Sequence, residues 1–541
     1  MQEASDGSPL VSRPLLEKVV EQLTKDESGL AQQSLHVLSS GEMPRWRWNS
    51  NKKIFVGGER GGGAHFGSAD DRLAMMRERY HLIHQRCMRN RLFRPPVLRN
   101  GTTGTDVFEL TPIESLTGVT GSRYVLGMLT VPEEGVYHLE DLTASVRLDL
   151  SAALMTSGLF TENSFVIAEG TMDHSAPPLG PKFIVNVLGF PPPETRAETL
   201  QALRHVDLFG AAPAATDFND LLAMEREAEE EALLVLSDVW LDNDRVMRWL
   251  AQILTGYQEM GAPPRAIVLM GNFSSKPLSH DRGGPARLIS LLDGLADLIC
   301  AHEDILANTE FLLVPGPHDP AASKAFPRPP LPPYLTEAFV RRVPRAKFTS
   351  NPVRLRYYTQ SILIFRHDLL QQMRRNVVLA PNLAETDDMS EHLVKTIMDQ
   401  SHLVPMPLDA VPISWANDHA LRVYPLPHLL ILGDSTSQFT WQYEDAKAFN
   451  PTSFHQDGSF VTYFPATQVV EYSNVNGDDE EDDDEEEMEV STVDEDEPEQ
   501  ETEEQETEVP DAGTETEMPD AGTETEMPEA DEEDTERPSD A

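Results

Sequence analysis

Residues 311–320 read FLLVPGPHDP. Four apolar side chains in succession, Phe311 to Val314, show no in-and-out alternation, which suits a strand buried on both faces. The run stops at Pro315-Gly316-Pro317, and an imidazole and a carboxylate, His318 and Asp319, follow in the loop. Two earlier stretches share this design: LLVLSDVWL at 233–241 and AIVLMGNFSS at 266–275 each end an apolar run in a polar loop. Helical periodicity separates the runs, in RVMRWLAQILTGYQEM (245–260) and ARLISLLDGLADLICAHEDIL (286–306). Strand, helix, strand repetition of this kind predicts a largely buried α/β sheet, and ligands of such sheets sit at the carboxyl ends of the strands.

Working outward, the preceding region has another texture. Short β-type runs at 107–113, 123–131, 136–150, 164–172 and 182–190 amount to about five strands, with a short helical crossing expected near Ala152 to Gly158. That is the element count of an OB-type barrel. Its strands carry few basic or aromatic side chains, so docking onto protein is the expected use rather than a stacked single strand. Upstream, Leu73, Met76, Tyr80, Ile83 and Cys87 recur at helical spacing between Asp70 and Arg91, with arginines on the remaining surface. They predict a solvated helix whose apolar stripe packs on the next domain.

The resulting division is a short helical element at 1–40, a Gly-rich linker at 41–69 around GGERGGGAHFG, and a basic helix with its connector at 70–106. The barrel at 107–192, a helical linker at 193–232 and the α/β domain at 233–476 follow. An acidic tail occupies 477–541, where 34 of the 91 acidic residues face a single Arg537, so the preceding chain carries only −15 of the formal −48. The tail contains a nine-residue repeat, PDAGTETEM at 510–518 and again at 519–527, and is too charged and too poor in apolar residues to fold. Disorder is expected there, with Thr514 and Thr523 as candidate phosphate acceptors. Two cysteines, neither in a C-x-x-C pair, exclude a disulfide framework and a cysteine zinc site from this chain alone. With no apolar leader and no membrane-length segment, an intracellular soluble protein is expected.

The order of the polar loops resembles that of calcineurin-like phosphoesterases, which hold two metal ions through D-x-H, G-D, G-N-H-[DE], an isolated His and G-H-x-H. A metal pair needs hard oxygens and imidazoles, with one carboxylate bridging both ions. Here Asp238 is present but Trp240 stands at the first histidine, and Asn272 replaces the bridging carboxylate. Pro317 stands at the Asn ligand, although His318 and Asp319 follow it. His402 is the candidate for the isolated histidine, and Asp434 falls where a histidine of the last loop belongs. The expectation is an inactive shell with no catalytic, metal or cofactor residues. The alternative is a divergent phosphodiesterase using Asp238, His318 and His402.

A barrel joined to such a shell resembles the B subunits of the replicative DNA polymerases. Segments such as YHLIHQRCMRNRLF (80–93), LSDVWLDNDRV (236–246) and HLVKTIMDQSHLVPMPL (392–408) resemble the epsilon branch of that family. The resemblance implies a nuclear, non-catalytic accessory subunit in DNA replication. It implies a grip on the cysteine-rich C-terminal module of the polymerase epsilon catalytic subunit, with DNA met mainly through the complex. Replicative helicase components and small histone-fold polymerase subunits are further implied partners.

Overall fold

The computed structural model describes residues 34–59, 67–93, 108–174, 180–203, 206–210, 212, 217–278, 283–320 and 324–475. All belong to the first of two units, Met1–Glu481. The helix expected within the first 33 residues, the glycine run at 60–66 and the acidic tail lie outside the described residues.

Strand β1 (Leu35–Ser39) opens the description, followed by a hairpin of β2 (Arg45–Asn49) and β3 (Ile54–Glu59) and helix α1 (Ala69–Cys87). These overturn two expectations. Residues 35–39 are not helical, because β1 pairs antiparallel with a later strand. Residues 45–59 are not a linker, because Arg-Trp-Arg-Trp alternation turns Trp46 and Trp48 toward Phe55 and Tyr424. Helix α1 begins in a reciprocal capping box between Ser68 and Asp71.

The barrel comprises β4 (Arg123–Glu133), β5 (Val136–Glu140), β6 (Ser145–Asp149), β7 (Leu154–Met155), β8 (Phe165–Asp173) and β9 (Lys182–Gly189). Its order is β6-β5-β4-β8-β9-β7, and β6 also pairs with β9, which closes the sheet into the expected OB-type barrel. Two details differ from expectation. Of the run expected at 107–113, the described residues 108–113 supply only a bridge at Leu110 and the start of a 3-10 turn. In place of a helical crossing at 152–158 stands the two-residue β7.

Helices α2 (Arg196–Ala202) and α3 (Phe218–Glu227) lead into the α/β domain. One six-stranded sheet is built from β10 (Leu233–Leu236), β11 (Ala266–Met270), β12 (Glu310–Val314), β13 (Ala346–Phe348), β19 (Ser459–Phe464) and β20 (Val469–Asn474), in the order β13-β12-β11-β10-β19-β20. Strands β10 to β13 are mutually parallel, as their unbroken apolar runs require. The second sheet has the order β1-β14-β15-β16-β18-β17, with β14 (Val353–Tyr357), β15 (Gln360–Arg366), β16 (Leu429–Gly433), β17 (Phe439–Tyr443) and β18 (Ala446–Asn450). Leu233, Val235 and Val268 of the first sheet share a core with Leu355, Ile364 and Ile431 of the second. The opposite faces of the same strands, Leu234, Leu236 and Leu269, pack on α4 (Asp244–Met260), α5 (Gly284–Cys300), α6 (Glu303–Asn308) and α7 (Pro333–Arg342). Helices α8 (Leu369–Arg375) and α9 (Met389–Gln400) cover the outer face of the second sheet, so the layers run helix, sheet, sheet, helix.

Barrel and sandwich meet through buried polar groups, each with a partner. His392 Nδ1 accepts from Gly158 N at 2.7 Å, and Thr396 Oγ1 accepts from Leu159 N at 2.8 Å. Gln400 clasps Phe165, accepting from its N at 2.7 Å and donating to its O at 2.8 Å. Helix α1 and the turn after it complete the seam: Arg72 and Arg77 are exposed as expected, but three other arginines are not solvated decoration. Arg79 forks onto Asp418, Arg89 pairs with Glu194, and Arg86 donates to Ser401 Oγ, Asp399 O and Pro191 O. Leu73, expected on the packed stripe, is instead exposed, and Met75 and Leu82 take its place in the core. Arg86→Leu strips three partners of their donor, and the expected cost is ~3 kcal/mol of unfolding free energy. Urea denaturation of the full chain measures it, and a loss below ~1 kcal/mol would mean that the seam does not depend on this guanidinium.

Candidate functional site

The carboxyl ends of β10, β11, β12, β15 and β16 converge, and one side chain fills the space between them. Arg366, the last residue of β15, is 1% exposed. Its Nε donates to Gly271 O at 2.7 Å, Nη1 to Gly433 O at 2.8 Å and Asp368 Oδ1 at 3.0 Å, and Nη2 to Asp238 Oδ1 at 2.6 Å. A single guanidinium thus cross-links the ends of both sheets. Burial alone would lower its pKa, but the Asp238 and Asp368 carboxylates outweigh burial and raise it, so the group is a permanent cation. Asp368 is held below the usual carboxylate range, since Arg366 outweighs the opposing effect of burial.

The predicted residues take up separate places around this centre. Asp238, with left-handed φ of 53°, accepts from Arg366, from Asn272 N at 3.1 Å and Nδ2 at 3.2 Å, and from Ser453 Oγ at 2.6 Å. Asn272 faces two ways, because its Oδ1 accepts from His318 N at 2.8 Å. Pro317 leaves its carbonyl to Arg328 Nη1, and the His318 side chain is exposed. Asp319 accepts from Phe273 N and Gly316 N, and burial, opposed by these two donors, raises its pKa to about 6. Asp434 caps α8 by accepting from Leu370 N at 2.9 Å, and burial raises its pKa. Trp240 stacks on His455 with ring centroids 3.4 Å apart and planes at 14°.

His402 departs from expectation. It lies in the seam with α1, where Nε2 bonds Asp418 Oδ1 at 3.1 Å and Nδ1 accepts from Val404 N at 3.0 Å. The structure therefore does not bring Asp238, His318 and His402 together: one binds a guanidinium, one faces solvent and one is buried against another helix. Among the described residues no cluster of three or more His, Cys, Asp and Glu side chains is arranged to hold a metal ion. The site does not fit the metal pair of a phosphoesterase, because a guanidinium occupies its centre and an indole, an amide and a proline stand at three ligand positions.

Sequence reasoning missed Arg366. The available signal was its placement, a cation ending the apolar run QSILIFR just as Asp238 and Asn272 follow theirs. The backbone around it is equally constrained. A Cβ on Gly271 would lie 1.9 Å from Asp319 Oδ2, and one on Gly316 would lie 2.5 Å from Gly271 C, so the two loops touch only because both are glycine.

Arg366→Met should cost ~3–5 kcal/mol, since two carboxylates lose their buried counter-ion. Arg366→Lys should recover less than half of that in chemical denaturation, because one ammonium cannot reach four divergent acceptors. A second expectation concerns His402. Burial foremost, then Arg79, lowers its pKa from the ordinary 6.5 to about 4. With the folded value depressed, the stability it contributes is present above pH 6.5 and is lost as pH falls toward 4. The His402 Cε1 resonance of histidine-labelled protein should stay at its neutral position from pH 8 to about 5; titration near 6.5 would overturn the assignment.

A family model describing the B subunit of DNA polymerases alpha and epsilon matches residues 233–441, and one described as DNA polymerase epsilon subunit 2-like, OB-fold domain matches 69–192. The second span takes α1 in with the barrel. The DNA polymerase epsilon B subunit of Arabidopsis thaliana is 39% identical over 83% of this chain and 84% of its own. DNA polymerase epsilon subunit 2 of Homo sapiens is 38% identical over 87% of this chain and 89% of its own. Among solved structures, an archaeal phosphodiesterase aligns with 45% of this chain and 99% of its own at 9% identity and a TM-score of 0.26, a likeness too loose to bear on function. With an OB-type barrel fused to a phosphoesterase-like sandwich whose centre holds a guanidinium, and with relatives this similar over most of its length, the chain belongs to the family of DNA polymerase epsilon B subunits, accessory subunits of a replicative polymerase.

Proposed function

We propose that the chain is a catalytically inactive scaffold that holds the cysteine-rich C-terminal module of the polymerase epsilon catalytic subunit and joins it to the replication machinery in the nucleus. The observation that carries the inactive part is Arg366. A metal pair activates water by lowering its pKa and clamps the transferring phosphoryl group. A guanidinium bonded to four protein acceptors supplies neither an open coordination position nor a displaceable water. Asp238 and the degenerate positions Trp240, Asn272, Pro317, His318 and Asp434 then have structural tasks, and no residue of this chain is assigned to catalysis, metal or cofactor.

The scaffold part is supported by the seam. A subunit that positions a partner needs its own domains fixed, and here backbone amides of the barrel are satisfied by α9 side chains, while Arg79 and Arg86 of α1 and Arg89 just beyond it bridge outward. Contacts with helicase components and histone-fold subunits belong to the same reading, as does DNA contact made through the complex. No observation favours the phosphodiesterase alternative, whose three proposed ligands lie apart.

Two measurements test the proposal. Affinity purification of the tagged chain from nuclear extract at moderate salt should recover a large polymerase near one-to-one; absence of any polymerase would overturn the scaffold reading. Purified protein in manganese should cleave bis(p-nitrophenyl) phosphate no faster than a protein-free control. Cleavage lost on His318→Ala would instead favour the enzyme.

A further inference from the structure

Beside the strand ends, a cavity of about 400 Å³ opens between the loop after β12, the segment from Lys324 to Arg328, His367 and the turn at Ala410 to Pro412. Its ionisable lining is of one kind: His318, Lys324, Arg328 and His367, with no carboxylate among them. Two carboxylates of the adjoining loops are committed elsewhere. Asp319 accepts from the backbone of Phe273 and Gly316, and Asp368 from Arg366 and Ser435 N.

Two lining groups have donors to spare. The His367 ring packs against Phe326 and Phe365, with centroids at 5.1 and 6.2 Å, and both of its ring nitrogens are buried without a hydrogen-bond partner among the described residues. Arg328, itself 3% exposed, gives Nη1 to Pro317 O and Nη2 to Asp319 O, and its Nε is likewise buried without a partner. Buried polar groups in a folded protein find partners, in the protein or in what it binds. Lys324 and His318 stand exposed at the mouth. A water would satisfy one ring nitrogen, but it would leave the Lys324 and Arg328 side chains lining a concave space that no carboxylate lines. A tetrahedral oxyanion supplies both the acceptors and the charge.

The geometry points to a binding site for a phosphate-class oxyanion, with His367 and Arg328 on its floor and Lys324 and His318 at its mouth. The site is separate from the strand-end centre, where Arg366 is already saturated, and it requires no metal. At about 400 Å³ it exceeds the needs of a lone phosphate and has room for the terminal phosphates of a nucleotide.

The test is equilibrium dialysis of the full chain against labelled inorganic phosphate, repeated with pyrophosphate and with a nucleoside triphosphate as competitors. One saturable site per chain is expected, weakened at least tenfold by His367→Phe, which keeps the aromatic packing, and at least tenfold by Lys324→Ala. Phosphate should also raise the melting temperature of the wild-type chain and not of either variant. Displacement by the triphosphate at lower concentration than by pyrophosphate assigns the site to a nucleotide; the reverse order assigns it to the free anion. Absence of saturable binding would overturn the proposal, as would binding undiminished in both variants, the mark of anions collecting on a basic surface. If His367→Phe melts early on its own, Lys324→Ala at the exposed mouth decides alone.

Discussion

The α/β domain depends on one buried guanidinium. Five strands from two sheets end in the same place, and their last carbonyls and the Asp238 and Asp368 carboxylates would leave that place electrically negative. That place needs an opposing charge. Arg366 supplies it here with a group that cannot dissociate, does not change protonation and donates along fixed directions. The directions matter as much as the charge. Nε reaches the first sheet through Gly271, and Nη1 reaches the second through Gly433, so one planar side chain ties together the ends of two sheets that also share a core. The glycines follow from this constraint, since a Cβ at Gly433 would stand 2.8 Å from Arg366 Cδ.

The same logic operates at the seam between barrel and sandwich, with another purpose. A buried ion pair such as Arg79 with Asp418 adds little net stability over a well-packed apolar pair, because desolvation consumes most of the Coulombic gain. What it adds is register. Arg86 bonds two carbonyls and a hydroxyl from different segments, and Gln400 reads both backbone groups of Phe165, so a displaced barrel would leave several buried groups unpaired at once. Apolar packing of Ile83 and Cys87 on Leu126 and Phe165 supplies the attraction, and the polar groups select one docking pose. An accessory subunit has this requirement, because the geometry it presents is what it contributes to a complex.

Much of this was legible in the sequence, for identifiable reasons. Continuous apolar runs of four or five residues, as in Leu233–Leu236 and Ala266–Met270, announced strands covered on both faces, and the structure covers each with a sheet and a helix layer. The hairpin at 45–59 was hidden by Gly57 and Gly58, which resemble the start of the glycine run although they lie in β3. Strand β1 was hidden because Leu35, Val37 and Leu38 continue an upstream apolar pattern, and only pairing with β14 makes them extended. Arg79, Arg86 and Arg89 read as surface because charge implies solvent by default; their partners Asp418, Ser401 and Glu194 lie more than a hundred residues away. His402 was misplaced since chain order stood in for position, and a lone histidine in a loop carries no address.

Arg366 also changes what the presence of Asp238 means. In the sequence, an aspartate at the expected ligand position reads as a remnant of metal binding. In the structure it has a complete set of donors: a guanidinium, a backbone amide, a side-chain amide and the Ser453 hydroxyl. Asn272 is matched to that arrangement in a way an aspartate would not be, because its Nδ2 donates to Asp238 while its Oδ1 receives the His318 amide. A carboxylate at 272 would still accept from His318 N, but it would set a second negative charge against Asp238 with one guanidinium to serve both. Amide at 272, carboxylate at 238 and guanidinium at 366 are thus a matched set. Changing any one of the three would unbalance the other two.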